Sequence, residues 1–138
     1  MLSVHRHNKR IRLRKMGPAD LQVLIFCSEK GVSMEQLTRE DFKIIDNYLM
    51  IRLPKEVDHY NAGYICEQAD RLLMDESVQN IVFDFADTGF MDSSGVGIII
   101  GRYKKISCFG GKVFAIHCSR QILRILSVSG LHKLVEIM

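Results

Sequence analysis

From Phe42 onward, apolar and polar positions follow a regular order. Phe42, Ile44 and Asp46 alternate against Lys43 and Ile45, Asn47-Tyr48 reads as a turn, and residues 49–53 are apolar except for Arg52. That pattern predicts a β-hairpin, which Pro54 ends. In Glu56-Val57-Asp58-His59-Tyr60-Asn61, either Asp58 or Asn61 can cap a helix. Ala62, Ile65, Cys66, Ala69, Leu72 and Leu73 then recur on one helical face, while Glu67, Gln68, Asp70 and Arg71 fill the other. Asn80 closes the following loop. Ile81-Val82-Phe83-Asp84-Phe85 is rich in β-formers and predicts a buried central strand, followed by the polar loop Ala86-Asp87-Thr88-Gly89.

Ser93 to about Phe109 predicts a second helix. Its apolar face is Val96, Ile99, Ile100, Tyr103 and Ile106, Lys104-Lys105 lie near the end that favours cations, and Gly110-Gly111 stops it. Gly97 and Gly101, one turn apart, are expected to pack tightly on the sheet. Lys112-Val113-Phe114-Ala115-Ile116 gives another strand. Ser119 caps a helix carrying Ile122, Leu123, Ile125 and Leu126, Gly130 ends it, and residues 134–138 can form a last strand. Strands alternating with helices need right-handed crossovers. The fold class is therefore α/β, with one mixed, mostly parallel β-sheet packed with helices and an N-terminal β-hairpin.

Composition adds the organisation around this unit. A chain of 138 residues, 47% hydrophobic and 25% charged, has the length and make-up of one globular domain. The net charge of +3 is uneven, because Arg6, Lys9, Arg10, Arg12, Arg14 and Lys15 precede the first acidic residue, Asp20. Residues 1–38 are expected to be a basic N-terminal extension without fixed structure, and residues 39–138 the domain. Two readings of the extension stay open: an arm facing nucleic acid or membrane, or translated leader ahead of a natural start at Met34. Codons for Glu29-Lys30-Gly31 can be purine-rich, as a ribosome-binding site would be. The run Leu21-Gln22-Val23-Leu24-Ile25-Phe26-Cys27 after the basic arm suggests a signal peptide, but Gln22 interrupts it and Phe26 sits where cleavage wants a small residue. No run is long enough to cross a bilayer, so a cytoplasmic location is expected. Cys27, Cys66, Cys108 and Cys118 form no CxxC pair, and His5, His7, His59, His117 and His132 form no ligand pattern. No metal or other cofactor is expected.

The chemistry concentrates in Phe90-Met91-Asp92-Ser93-Ser94-Gly95-Val96-Gly97, which feeds a helix. A serine here sits beside free backbone N–H groups, a natural place for a phosphate. The serine-hydrolase elbow needs Gly-x-Ser-x-Gly, but Met91 and Asp92 stand where the first Gly belongs, and no histidine is convincingly placed as a base. The nucleotide loops are also absent: Gly110-Gly111-Lys112 lacks the upstream Gly and the Ser or Thr after Lys. Read alone, Asp92-Ser93-Ser94 is a helix N-cap.

Met91-Asp92-Ser93-Ser94-Gly95-Val96-Gly97 and Gly101-Arg102-Tyr103-Lys104 are joined by Glu56-Val57-Asp58-His59, Gly110-Gly111 and Ser129-Gly130-Leu131. In these motifs the chain, from about Phe42 to Met138, resembles the STAS-domain anti-sigma factor antagonists, and most of all their sporulation branch. The resemblance implies the STAS fold and a partner switch without catalysis. An unphosphorylated antagonist binds an anti-sigma factor that is also a serine kinase, releasing the sigma factor. Phosphorylation switches it off, and a serine phosphatase of the PP2C type restores it.

By the same resemblance, the acceptor is Ser93, with Ser94 the lesser candidate. Asp58, Asp92, Ser93 and Ser94 then face the partner, with Phe90, Met91 and Val96 as candidates for an apolar contact rim around them, and neither direct nucleic-acid binding nor a membrane span is implied. Phosphoserine adds about −1.5 to −2 charges, which a helix N-terminus is expected to accept within the domain itself. The alternative is a STAS docking subunit of a transporter or lipid-handling complex. Three departures stand out: the extra N-terminal segment, Pro54-Lys55 in place of a glycine-containing turn, and a stop at Met138 where relatives often add a final helix. The last predicts exposed apolar surface on the final helix and strand.

Overall fold

The computed structural model describes residues 41–75 and 77–138. The basic arm, the run from Leu21 to Cys27, the histidines at 5 and 7, and Met34 lie outside the described residues.

Strands β1 (Phe42–Ile45) and β2 (Tyr48–Arg52) form the expected antiparallel hairpin, with Phe42 opposite Ile51 and Ile45 opposite Tyr48. Its turn is Asp46-Asn47, one residue earlier than the expected Asn47-Tyr48. Asp46 takes the positive φ of 59°, which Asp tolerates better than most residues. Tyr48 instead opens β2, where its ring lies 5.9 Å from that of Phe114. Two residues, Glu56–Val57, make β3. Helix α1 (His59–Leu73) then returns the chain to β4 (Asn80–Asp84), parallel to β2. Asn80 belongs to that strand rather than to the loop, because its N–H donates to the Asn47 carbonyl at 3.0 Å and its Oδ1 accepts from the Lys112 N–H at 3.0 Å.

Strand β5 (Phe90–Met91) and helix α2 (Ser93–Ser107) lead to β6 (Val113–Ile116). Helix α3 (Arg120–Val128) and a 3₁₀ turn (Leu131–Lys133) lead to β7 (Glu136–Ile137). The main sheet has the order β1-β2-β4-β6-β7, parallel from β2 onward, and β3 pairs with β5 in a separate two-stranded ladder. The last strand is two residues long, not five. Val128, at 83% exposure, and Ile137 and Met138, at 40% and 46%, carry the apolar surface expected near the end.

Among the described residues, the helices α1, α2 and α3 all bury residues in one core with Leu49, Ile51, Ile81, Phe83, Val113 and Ala115 of the sheet. Tyr48, Met50, Val82, Phe114 and Ile116 alternate with these on the opposite face and form a second apolar cluster. On α2 the deepest residues are Gly95, Ile98, Ile99, Arg102 and Ile106; Val96, Ile100 and Tyr103 of the expected face lie at the margin. Arg102 is drawn inward by Asp70 of α1, its Nε 3.2 Å from the carboxylate. Ile122 and Leu126 anchor α3, while Leu123 is exposed.

The helix α2 stops at Ser107, two residues before the expected end. Gly110 takes φ 82° and the Gly111 N–H bonds to the Ile106 carbonyl at 2.9 Å. A side chain at Gly111 would collide with the Gln79 backbone carbonyl. Gly97 and Gly101 do not pack on the sheet as expected, since a Cβ on either would meet nothing within 4 Å.

Candidate functional site

The stretch after β2 and the stretch after β4 are tied together over their whole length. Arg52 Nε donates to Asp87 Oδ2 at 2.9 Å, a contact that raises the Arg52 pKa further above its ordinary value. The buried Thr88 hydroxyl donates to the Pro54 carbonyl at 2.7 Å, and the Gly89 N–H to the Lys55 carbonyl at 2.9 Å. Pro54-Lys55 thus offers two carbonyls to the neighbouring loop, a function that needs no glycine. Next, Glu56 pairs with Phe90 and Val57 with Met91, and the Asp92 N–H donates to the Val57 carbonyl at 3.0 Å.

This ladder delivers Asp58 and Asp92 to the next register position, each as the N-cap of a helix. Asp58 Oδ1 accepts from the N–H groups of Tyr60 and Asn61 at 3.0 and 3.3 Å, and Asn61 Oδ1 accepts from the Asp58 N–H at 3.0 Å. Asp58 is therefore the cap and Asn61 completes a capping box. Asp92 Oδ1 accepts from Ser94 N–H at 2.7 Å and Gly95 N–H at 3.4 Å.

Ser93 is the first residue of α2 and is exposed, whereas Ser94 is half-buried. The Ser94 and Gly95 amides that would greet a phosphate already hold the Asp92 carboxylate. A phosphate on Ser93 would therefore share this helix N-terminus with a carboxylate already in place. Of the expected apolar rim, Phe90 is 44% exposed and Val96 is half-buried. Met91 is 2% exposed and belongs to the core. It forms the floor of the site because Gly95 leaves it room: a Cβ at Gly95 would lie 2.9 Å from Met91 Cβ.

Tyr60, 84% exposed in the first turn of α1 and two residues after Asp58, is a further aromatic residue that the motifs did not signal. Its mark in the sequence is an aromatic residue out of phase with the buried face of an amphipathic helix. The His59 ring lies 4.0 Å from that of Tyr60, and His117 Nδ1 is 2.9 Å from Asp84 Oδ1. Beside this last pair, burial and then the Asp84 charge push the Cys118 thiol up to about 11. Among the described residues, no group of three or more His, Cys, Asp or Glu is placed to hold a metal ion, and no helix is long and apolar enough to cross a membrane.

A family profile described as the STAS domain matches residues 40–138. The chain is similar to an anti-sigma F factor antagonist of Paenibacillus polymyxa, with 36% identity over 89 residues, 64% of this chain and 76% of the relative. Among solved structures, it resembles the anti-sigma factor antagonist SpoIIAA in its unphosphorylated form, with a TM-score of 0.64 and 26% identity over 70% of this chain and 85% of the other. It also resembles the Bacillus cell fate determinant SpoIIAA in the phosphorylated form, with a TM-score of 0.55 and 27% identity over 75% and 87% of the two chains.

Proposed function

The chain belongs to the STAS family and, within it, to the anti-sigma factor antagonists; on that premise we propose that it is a non-catalytic partner switch whose active domain is residues 39–138. Unphosphorylated, it binds an anti-sigma factor that is also a serine kinase and so frees a sigma factor in the cytoplasm. Phosphorylation of Ser93 ends the interaction, and a serine phosphatase of the PP2C type renews it. The observation that carries this reading is Ser93 itself, exposed at the first position of α2 directly after the N-cap Asp92. Asp58 stands on the adjoining helix N-terminus, and Phe90, Tyr60, Ser94 and Val96 complete the surface offered to the partner.

The physical logic is electrostatic. A phosphate on Ser93 brings about −1.5 to −2 charges next to Asp92, whose carboxylate has already claimed the two nearest amides. The added charge must share the helix N-terminus with that carboxylate and projects toward the partner. Like charges forced together in an interface cost several kcal/mol, and about 1.4 kcal/mol is tenfold in affinity. Phosphorylation is therefore expected to weaken binding by about a hundredfold or more without unfolding the domain.

The test incubates the protein with ATP and the anti-sigma kinase encoded in the same genome, followed by peptide mass spectrometry and calorimetric titration. One phosphate on Ser93, absent from Ser93→Ala, and tight binding of Ser93→Ala whether or not ATP is present are expected. An active kinase that leaves Ser93 unmodified would overturn the switch.

A further inference from the structure

Helix α3 breaks two local rules at once. Its outer face carries Arg120, Leu123 and Arg124, which share one side of the helix, while Ile122 and Leu126 anchor the other. Arg120 holds the first helical position, where the helix dipole disfavours a cation, and Arg124 sits one turn on, where like charges repel. No acidic residue stands on this helix to relieve them. The other arginines among the described residues each reach a carboxylate: Arg52 at Asp87, Arg71 at Glu67 and Arg102 at Asp70. Arg120 and Arg124 are both exposed, and neither forms an ion pair with a described residue. Charges placed against local preference, with no gain inside the fold, point to a use outside it.

We propose that this face of α3 meets an acidic surface of the anti-sigma partner, steering and orienting the complex. Position supports it: α3 lies against β5, whose Phe90 is 44% exposed, so α3 borders the surface gathered around Ser93. Sign supports it as well. Asp58 and Asp92 make the surface beside Ser93 anionic, and the two arginines make its border cationic, so a partner that matches both halves docks in one orientation. Leu123, 39% exposed beside the arginines, completes a mixture typical of protein interfaces, which are enriched in arginine around an apolar centre. Two cations are too few for a lipid surface, which takes clusters of roughly four or more. The inference rests on the switch reading and adds to it the charge of the partner's surface.

The test follows association of the unphosphorylated full chain with the fluorescently labelled anti-sigma kinase of the same genome, by stopped flow at about 0.02 M and about 0.5 M salt. At low salt, Arg120→Glu/Arg124→Glu is expected to associate about tenfold or more slowly than wild type, and at high salt the two rates are expected to converge. Arg120→Gln/Arg124→Gln, which removes charge without reversing it, is expected to fall between them. Both variants are expected to melt no lower than wild type, because the cation at the helix N-terminus is gone. Variants that associate as fast as wild type at low salt would overturn the proposal and leave the switch standing, as would a rate loss of the same size at both salts. Retention of wild type but not of the variants on phosphatidylserine vesicles or duplex DNA, with kinase association unaltered, would assign the face to those polyanions and overturn it too. A wild-type chain that the kinase does not bind would overturn the switch reading, and this contact with it, before any variant is compared.

Discussion

At the scale of single residues, Asp92 does two jobs that substitutions can separate. Its carboxylate caps α2 through Ser94 and Gly95, and its charge lies beside Ser93, the serine on which the proposed switch rests. Asp92→Ala is expected to cost about 0.5–2 kcal/mol of stability in urea denaturation, whereas Asp92→Asn keeps a side-chain acceptor and is expected to lose much less. If charge beside the phosphate is what drives release, Asp92→Asn also softens the effect of phosphorylation on partner affinity. Cys118 offers a second residue-scale check. Its thiol keeps its proton up to about 11 against an ordinary 9.0, so the folded protein resists forming the thiolate that iodoacetamide attacks. Alkylation at pH 8 is expected on the exposed Cys108 and not on Cys118, with labelling of Cys118 rising toward pH 11. The linkage has a definite sign. The unfolded chain ionises this thiol first, so the stability it supports is present below about pH 9 and is lost as pH climbs toward 11.

At the scale of elements, two glycines of α2 are predicted to behave oppositely. Gly95→Ala forces a methyl group against Met91 Cβ and should cost about 1–3 kcal/mol, only partly offset by the roughly 1 kcal/mol that alanine gains in a helix. Gly97→Ala meets open space and is expected to stabilise by about 0.5–1 kcal/mol, so thermal melts of the two variants shift in opposite directions. The helices were legible in the sequence because their signals are local: Asp58, Asp92 and Ser119 cap them, and Gly110 and Gly130 sit just beyond α2 and α3. The hairpin turn was misplaced by one residue for a physical reason. Tyr48, Leu49, Met50 and Ile51 are all buried, so β2 is covered on both faces and shows no alternation to fix its phase. Arg102 was hidden likewise, since a charged residue on a buried stripe becomes intelligible only when Asp70 of another helix is beside it.

At the scale of the whole molecule, the motif serine and the fold class could be read from the chain, but not the means by which Asp58 and Asp92 come together. Two-residue strands have no period to detect, and their partners lie in a distant part of the sequence. What holds them is a series of long-range contacts, Arg52 to Asp87, Thr88 to Pro54 and Gly89 to Lys55, that no local pattern announces. This small ladder also lies apart from the five-stranded sheet, and free energies of opening need not be shared between separate hydrogen-bonded units. Native-state hydrogen exchange should divide accordingly. The amides of Gly89 and Asp92 are expected to exchange through a partial opening nearly independent of denaturant, while those of Ile81 and Phe85 exchange only on global unfolding. Exchange divided in this way gives the molecule two melting units, a durable sheet and a looser clasp beside the exposed Ser93 that opens while the rest of the domain stays folded.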